Sequence, residues 1–277
     1  MRKATANRRT RAPQLDGWVH PDFIAVEEVL REQLKRHARG GAAACVYHHG
    51  QCVADLWGGY SDAEGTLWRQ DTMAPSFSTT KGVASTLLHI IADRGLINYD
   101  ARVADYWPEF AQAGKEKITV RQVLAHQSGL YHIRQMIDRA DRMLDWNHMV
   151  RAIEQTEPIH KPGTRTGYHG LTYGYLVGEI IQRVTGKKFS NLVQSEIAKP
   201  LQLDGMFIGA PKRVLDRAAS LIFPDRTRRL SQTSFSHYAE AYFANVSKVL
   251  KLLGVDTDLA SIFDALAPRG ISNFDFG

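Results

Sequence analysis

Between Ser78 and Gly95 the apolar residues Val83, Leu87, Leu88, Ile90 and Ile91 recur at helical spacing and cover a broad stripe. A helix this apolar must be covered by the rest of the chain, so it is expected at the centre of a folded unit. Gly95 suits the left-handed position that ends such a helix. A second helix is expected from about Leu171 to Thr185, with Leu176, Val177, Ile180, Ile181 and Val184 on one face and Gly186 at its end.

Upstream the periodicity is different. Ala42 to Leu56 reads as two short strands joined at His49-Gly50, with Gly58-Gly59 closing the second. Thr119 and Gln122 form a capping box for a short helix through Val120, Val123 and Leu124, closed by Gly129. Ser190 is expected to cap a further helix carrying Leu192, Val193 and Ile197 before Pro200. Beyond it, Met206-Phe207-Ile208 reads as a strand, and 242–253 and 259–266 read as helices. The fold class is therefore α+β: an antiparallel sheet flanked by helices, with a mostly helical insertion. Residues 1–18 are expected to form a disordered basic tail, 19–75 and 201–277 a discontinuous sheet domain, and 76–200 a helical domain.

Composition excludes several functions. The chain has 277 residues, 44% hydrophobic and 23% charged, and no apolar run reaches the length of a membrane-spanning helix. The net charge of +6 is concentrated in Arg2, Lys3, Arg8, Arg9 and Arg11, ahead of the first acid, Asp16. A short basic tail is not a folded basic face, so neither a nucleic-acid partner nor a membrane partner is expected. Ala12-Pro13-Gln14-Leu15-Asp16 is no apolar signal core, which points to the cytoplasm, with organellar targeting by the basic start as the alternative.

Cys45 and Cys52 are the two cysteines, and a two-residue turn would set Cys52 opposite Tyr47 rather than Cys45. Free thiols are expected. The histidines lack zinc-ligand spacing, so no metal is expected, and no signal specifies an oligomeric state.

One constellation carries chemistry. Ser78-Thr79-Thr80-Lys81 is the one S-x-x-K in the chain, and residues three apart at a helix start share a face, so the Lys81 amine can reach the Ser78 hydroxyl. The helix N-terminus also favours a developing oxyanion. The same residues also suit an N-cap serine beside a solvated lysine, and the S-x-x-K pattern alone leaves both open. Tyr168, in the glycine-rich loop 161–170, is the candidate to share the lysine's proton, with a hydrogen-bonded loop tyrosine as the alternative.

Five segments taken together resemble the serine beta-lactamase-like superfamily. They are Asp55-Leu56-Trp57-Gly58-Gly59, Phe77-Ser78-Thr79-Thr80-Lys81, Tyr106-Trp107-Pro108-Glu109-Phe110, Gln122 to Leu130, and Gly167 to Gly174. Within it the family VIII carboxylesterases are the most similar branch, relatives of class C beta-lactamases and D-alanyl-D-alanine peptidases. The similarity covers roughly residues 20 to 220.

The resemblance implies Ser78 as acylated nucleophile, Lys81 as its proton partner and Tyr168 as general base, with the Ser78 backbone N–H as one oxyanion donor. It implies a small carboxylic ester as substrate and no cofactor. His126, Ser128 and Gly129 are assigned to helix termination and packing. Two departures stand out. Tyr168-His169-Gly170 replaces the family's Tyr-x-Asn, so the amide is absent. No Lys-Thr-Gly equivalent on a late strand precedes Gly277, so the expectation is a fragment, a truncated product or an incomplete member. A beta-lactamase or D-alanyl peptidase, and a non-catalytic protein retaining the fold, are the competing readings.

Overall fold

The computed structural model describes residues 14–36, 40–221 and the backbone of the pair 255–256. These residues divide into two compact units, one built from the described residues up to 75 with 210–221, the other from Ser76–Gly209 with the pair 255–256. The expected helices at 242–253 and 259–266 lie outside the described residues.

The first unit is an antiparallel sheet of three strands in the order β1-β3-β2: Leu15–Val19 (β1), Gly41–His48 (β2) and Gln51–Gly59 (β3). Residues 15–18, expected in a disordered tail, instead form most of β1. Gly17 explains part of this, because any Cβ there would lie 2.0 Å from the Asp55 carbonyl oxygen, and its φ of +105° suits glycine alone. Helix α1, Ile24–Arg36, lays Leu30 and Leu34 over Ala54 and Leu56. Ala42, Ala44 and Val46 alternate onto this covered face, as period-two patterning requires.

The hairpin turns at His49-Gly50, and Tyr47 does pair with Cys52. A bulge then shifts the register, pairing Val46 with Ala54 and Cys45 with Asp55. Cys45, two residues from Tyr47 on β2, is thus a diagonal neighbour of Cys52, and the two free thiols sit 3.9 Å apart.

The second unit packs around α2, Thr80–Asp93, and α6, Thr172–Thr185. Leu87, Leu88 and Ile91 from α2 meet Leu176, Val177, Ile180 and Ile181 from α6 in one buried cluster. Gly186 adopts the left-handed C-terminal conformation. Around this pair lie α3 (Val120–Leu124), α4 (Ile133–Met136), α5 (Trp146–Gln155) and α7 (Phe189–Val193). The Thr119–Gln122 capping box is present, with both reciprocal bonds. A two-residue parallel pairing joins Thr166–Gly167 (β4) to Val255–Asp256 (β5).

Three expectations require correction. Ser190 lies inside α7 rather than capping it, because Gln182 Oε1 of α6 accepts the Phe189 N–H at 2.9 Å and starts the helix there. Met206-Phe207-Ile208 is not a strand: the Gln194 side chain takes the Met206 carbonyl that a sheet neighbour would need. Residues 201–209 accordingly belong to the helical unit, not the sheet unit, with Met206 and Ile208 packed on its core. Among the described residues no helix is long and apolar enough to cross a membrane.

Candidate active site

The chain enters α2 through a tight 3-10 turn, Phe77–Thr79. Phe77 has φ of +45°, a conformation that a side chain with Cβ adopts only under constraint. Ser78 follows on the exposed turn and is not the helix cap; that position falls to Thr79, which makes no side-chain capping bond. Instead Lys81 Nζ donates to Ser78 Oγ at 3.2 Å.

Lys81 also donates to the Gly170 carbonyl at 2.7 Å, and its nitrogen stands over the Tyr168 ring, 4.9 Å from the centroid. Ser78, Lys81 and Tyr168 are thereby brought to one place by residues 89 positions apart in sequence. On the α2 backbone, Ser85 Oγ donates to the Lys81 carbonyl at 2.9 Å and accepts from the Tyr173 hydroxyl at 2.7 Å, joining α2 to α6 one turn below the lysine.

The loop carrying Tyr168 lies beside residues 126–130. Gly167 N–H donates to the His126 carbonyl and Gly163 N–H to the Gln127 carbonyl, both at 2.9 Å. Gly167 must be glycine, since a Cβ would stand 1.9 Å from the Tyr131 ring. His126 ends α3 in the left-handed conformation, φ +59°, and its ring packs against Tyr168 at 5.1 Å and Tyr173 at 4.7 Å between centroids.

Behind Tyr168 is a buried polar cluster of His126, Ser128 and His169, of which the first two were expected to serve helix termination and packing. Ser128 and His169 are both fully buried. His169 Nδ1 lies 2.7 Å from the Gly167 carbonyl, which can only accept, so Nδ1 carries the proton. His169 Nε2 then accepts from the Ser128 hydroxyl at 2.6 Å and the Leu130 N–H at 3.3 Å. His126 Nδ1 accepts the His169 backbone N–H at 3.0 Å and faces His169 Nδ1 at 3.2 Å. Burial, then the Lys81 charge, pushes the His126 imidazole down to about 4. Burial above all, with His126 adding and the Gly167 carbonyl opposing, pushes His169 down to about 3. Both rings are neutral near pH 7.

The arrangement offers an exposed hydroxyl beside an amine, with a phenol ring against that amine. Such a set can transfer a proton from a serine and pass it to a leaving group. Among the described residues no cluster of His, Cys, Asp or Glu has the makings of a metal site.

Comparison with known proteins bears on this geometry. The beta-lactamase family model matches residues 26–270. The esterase/beta-lactamase LipL of Mycobacterium tuberculosis is 36% identical over 239 residues, covering 82% of this chain and 55% of LipL. A crystal structure of a family VIII carboxylesterase superposes with TM-score 0.71 at 38% identity, covering 76% of this chain and 57% of that one. A penicillin-binding protein homologue from Caulobacter crescentus superposes with TM-score 0.72, also at 38% identity and with the same coverages. The chain thus spans little more than half the length of these proteins.

Proposed function

The chain belongs to the beta-lactamase family and has its α+β fold, and from that premise we propose that it is a serine hydrolase of the carboxylesterase type, cleaving small carboxylic esters through an acyl-enzyme on Ser78. The observation that carries the reading is the convergence of three groups: Lys81 Nζ at 3.2 Å from Ser78 Oγ, beneath it the Gly170 carbonyl at 2.7 Å, and beside it the Tyr168 ring.

In this mechanism Ser78 Oγ attacks the ester carbonyl carbon while its proton passes to the Lys81–Tyr168 pair. The carbonyl oxygen gains negative charge, which the Ser78 backbone N–H and the positive end of the helix stabilise. Collapse expels the alcohol, which takes the proton from Tyr168. A water molecule then attacks the acyl carbon, giving a proton to the same pair, and the pair returns that proton to Ser78 Oγ as the serine leaves and the carboxylic acid departs. No step calls for a metal or organic cofactor.

A beta-lactam is the second substrate class, because LipL is named for both activities and a penicillin-binding protein homologue is among the structural neighbours. Its carbonyl would acylate the same serine. Turnover of a short-chain p-nitrophenyl ester and of a chromogenic cephalosporin, each compared with Ser78→Ala, tests both. Ester hydrolysis lost in the variant supports the proposal; equal hydrolysis by both proteins refutes it and leaves a non-catalytic role for the fold.

A further inference from the structure

The acceptor that holds Lys81 most closely is a main-chain carbonyl, that of Gly170, at 2.7 Å. A side chain can reach its partner by rotating about its own bonds, whereas a carbonyl goes where the backbone puts it. What fixes the Tyr168–Gly170 backbone therefore fixes Lys81. The three residues form a tight turn closed by Gly170 N–H donating to the Tyr168 carbonyl at 2.9 Å, with His169 at its apex.

The apex residue is gripped at both ring nitrogens and at its backbone N–H. Its Nδ1–H holds the Gly167 carbonyl, its Nε2 receives Ser128 and Leu130, and its backbone N–H is held by His126. Ser128 and His169 resemble a nucleophile and its base in spacing alone. Both are sealed from solvent, and the serine proton is already committed to the imidazole, so the pair cannot attack a substrate.

We propose that His169 is a positioning residue: clamped between Gly167 and Ser128, it holds the Tyr168–Gly170 turn so that the Gly170 carbonyl keeps Lys81 against Ser78 and the Tyr168 ring against Lys81. This rests on the serine-hydrolase reading above. Neighbouring residues divide the work, since His126 anchors the turn from the α3 side while Ser128 anchors it from beneath.

The test uses the whole chain. His169→Leu removes all three of these side-chain bonds, His169→Asn keeps a donor for the Gly167 carbonyl, and His169→Gln keeps an acceptor for Ser128 and Leu130. Ser128→Ala removes one anchor without touching the turn. Each is followed by thermal unfolding, by the rate of fluorophosphonate labelling at Ser78, and by ester kcat and KM. Misplacement of catalytic groups by about 1 Å can cost on the order of 100-fold. The expected result is a fall of that order in labelling rate and kcat for His169→Leu, with KM little changed. Asn and Gln should recover part of it, and Ser128→Ala should fall in the same direction by less.

A purely structural role predicts lower unfolding temperatures with labelling rates that track only the folded fraction. Folded variants that label and turn over like wild type overturn the positioning role and leave the hydrolase reading intact. If His169→Leu does not fold, the same comparison is made with Asn, Gln and Ser128→Ala, and equal rates there overturn it. Wild-type protein unlabelled at Ser78 overturns the hydrolase reading and this inference with it.

Discussion

Lys81 makes a shorter hydrogen bond to the Gly170 carbonyl, 2.7 Å, than to the Ser78 hydroxyl, 3.2 Å. The carbonyl anchors the amine, and the serine lies within its reach. In an activated nucleophile the base must be held independently of the group it serves, and here a loop some 90 residues away in sequence does the holding.

Tyr168→Phe keeps the ring over Lys81 and deletes the hydroxyl. Loss of a general acid–base group typically lowers turnover by about 100- to 10,000-fold. Ester kcat should fall in that range while the unfolding temperature holds. A variant with full activity would remove Tyr168 from proton transfer and leave it a packing role.

The depressed histidines give stability a definite pH dependence. Folded His126 and His169 bind protons only near pH 4 and 3, whereas unfolded histidine binds them near 6.5. Between those values the unfolded chain holds more protons, so stability rises with pH. The pair's full contribution is present above about pH 6.5 and is lost as pH falls toward 4 and 3. Each unit of depression corresponds to about 1.4 kcal/mol, so the loss is on the order of a few kcal/mol. Denaturant unfolding at pH 7 and pH 4.5 should show it, with a smaller difference in His169→Gln; an equal difference in both proteins would contradict it.

Lys115 is fully buried, and its amine donates to the carbonyls of Glu154 and Thr156 at 2.8 and 2.7 Å, satisfying the C-terminal end of α5. Burial pushes its amine down to about 8. Lys115→Met leaves both carbonyls without that partner, at a cost of about 1–3 kcal/mol for each buried acceptor left unmade. Thermal unfolding should register a clear loss; unchanged stability would mean that water replaces the amine.

The Cys45 and Cys52 thiols, 3.9 Å apart, are placed for exchange with a small disulfide such as oxidised glutathione. One thiolate attacks and releases a glutathione thiol, and the other then displaces the second glutathione from the mixed disulfide. Intact mass should fall by two hydrogens in the wild-type chain, while Cys52→Ser should retain one glutathione adduct. A stable adduct on wild-type protein would show that the strands hold the sulfurs apart.

The sequence revealed the parts whose signal is local. The apolar stripes at 83–91 and 176–184 appear as α2 and α6, and the Thr119–Gln122 box caps α3 where its side chains dictate. Helix α1 has only a faint sequence signal, because its buried face is narrow, essentially Leu30 and Leu34 in a run of charged residues. The start of α7 lies before Ser190 because its capping acceptor comes from Gln182 on another helix, a tertiary contact with no local sign. At the site, S-x-x-K spacing indicated the Ser78–Lys81 contact, and resemblance indicated Tyr168. The cluster of His126, Ser128 and His169 was out of reach, because it depends on two loops lying side by side and on which imidazole nitrogen carries a proton. The Gly170 carbonyl has no side-chain signature at all.

The most direct measurement is peptide mapping by mass spectrometry after the folded chain reacts with a fluorophosphonate. An adduct confined to the peptide containing Ser78, and abolished in Lys81→Ala while that variant remains folded, is the predicted result. An unmodified Ser78, or an adduct that forms equally fast without Lys81, would contradict an activated serine at this site.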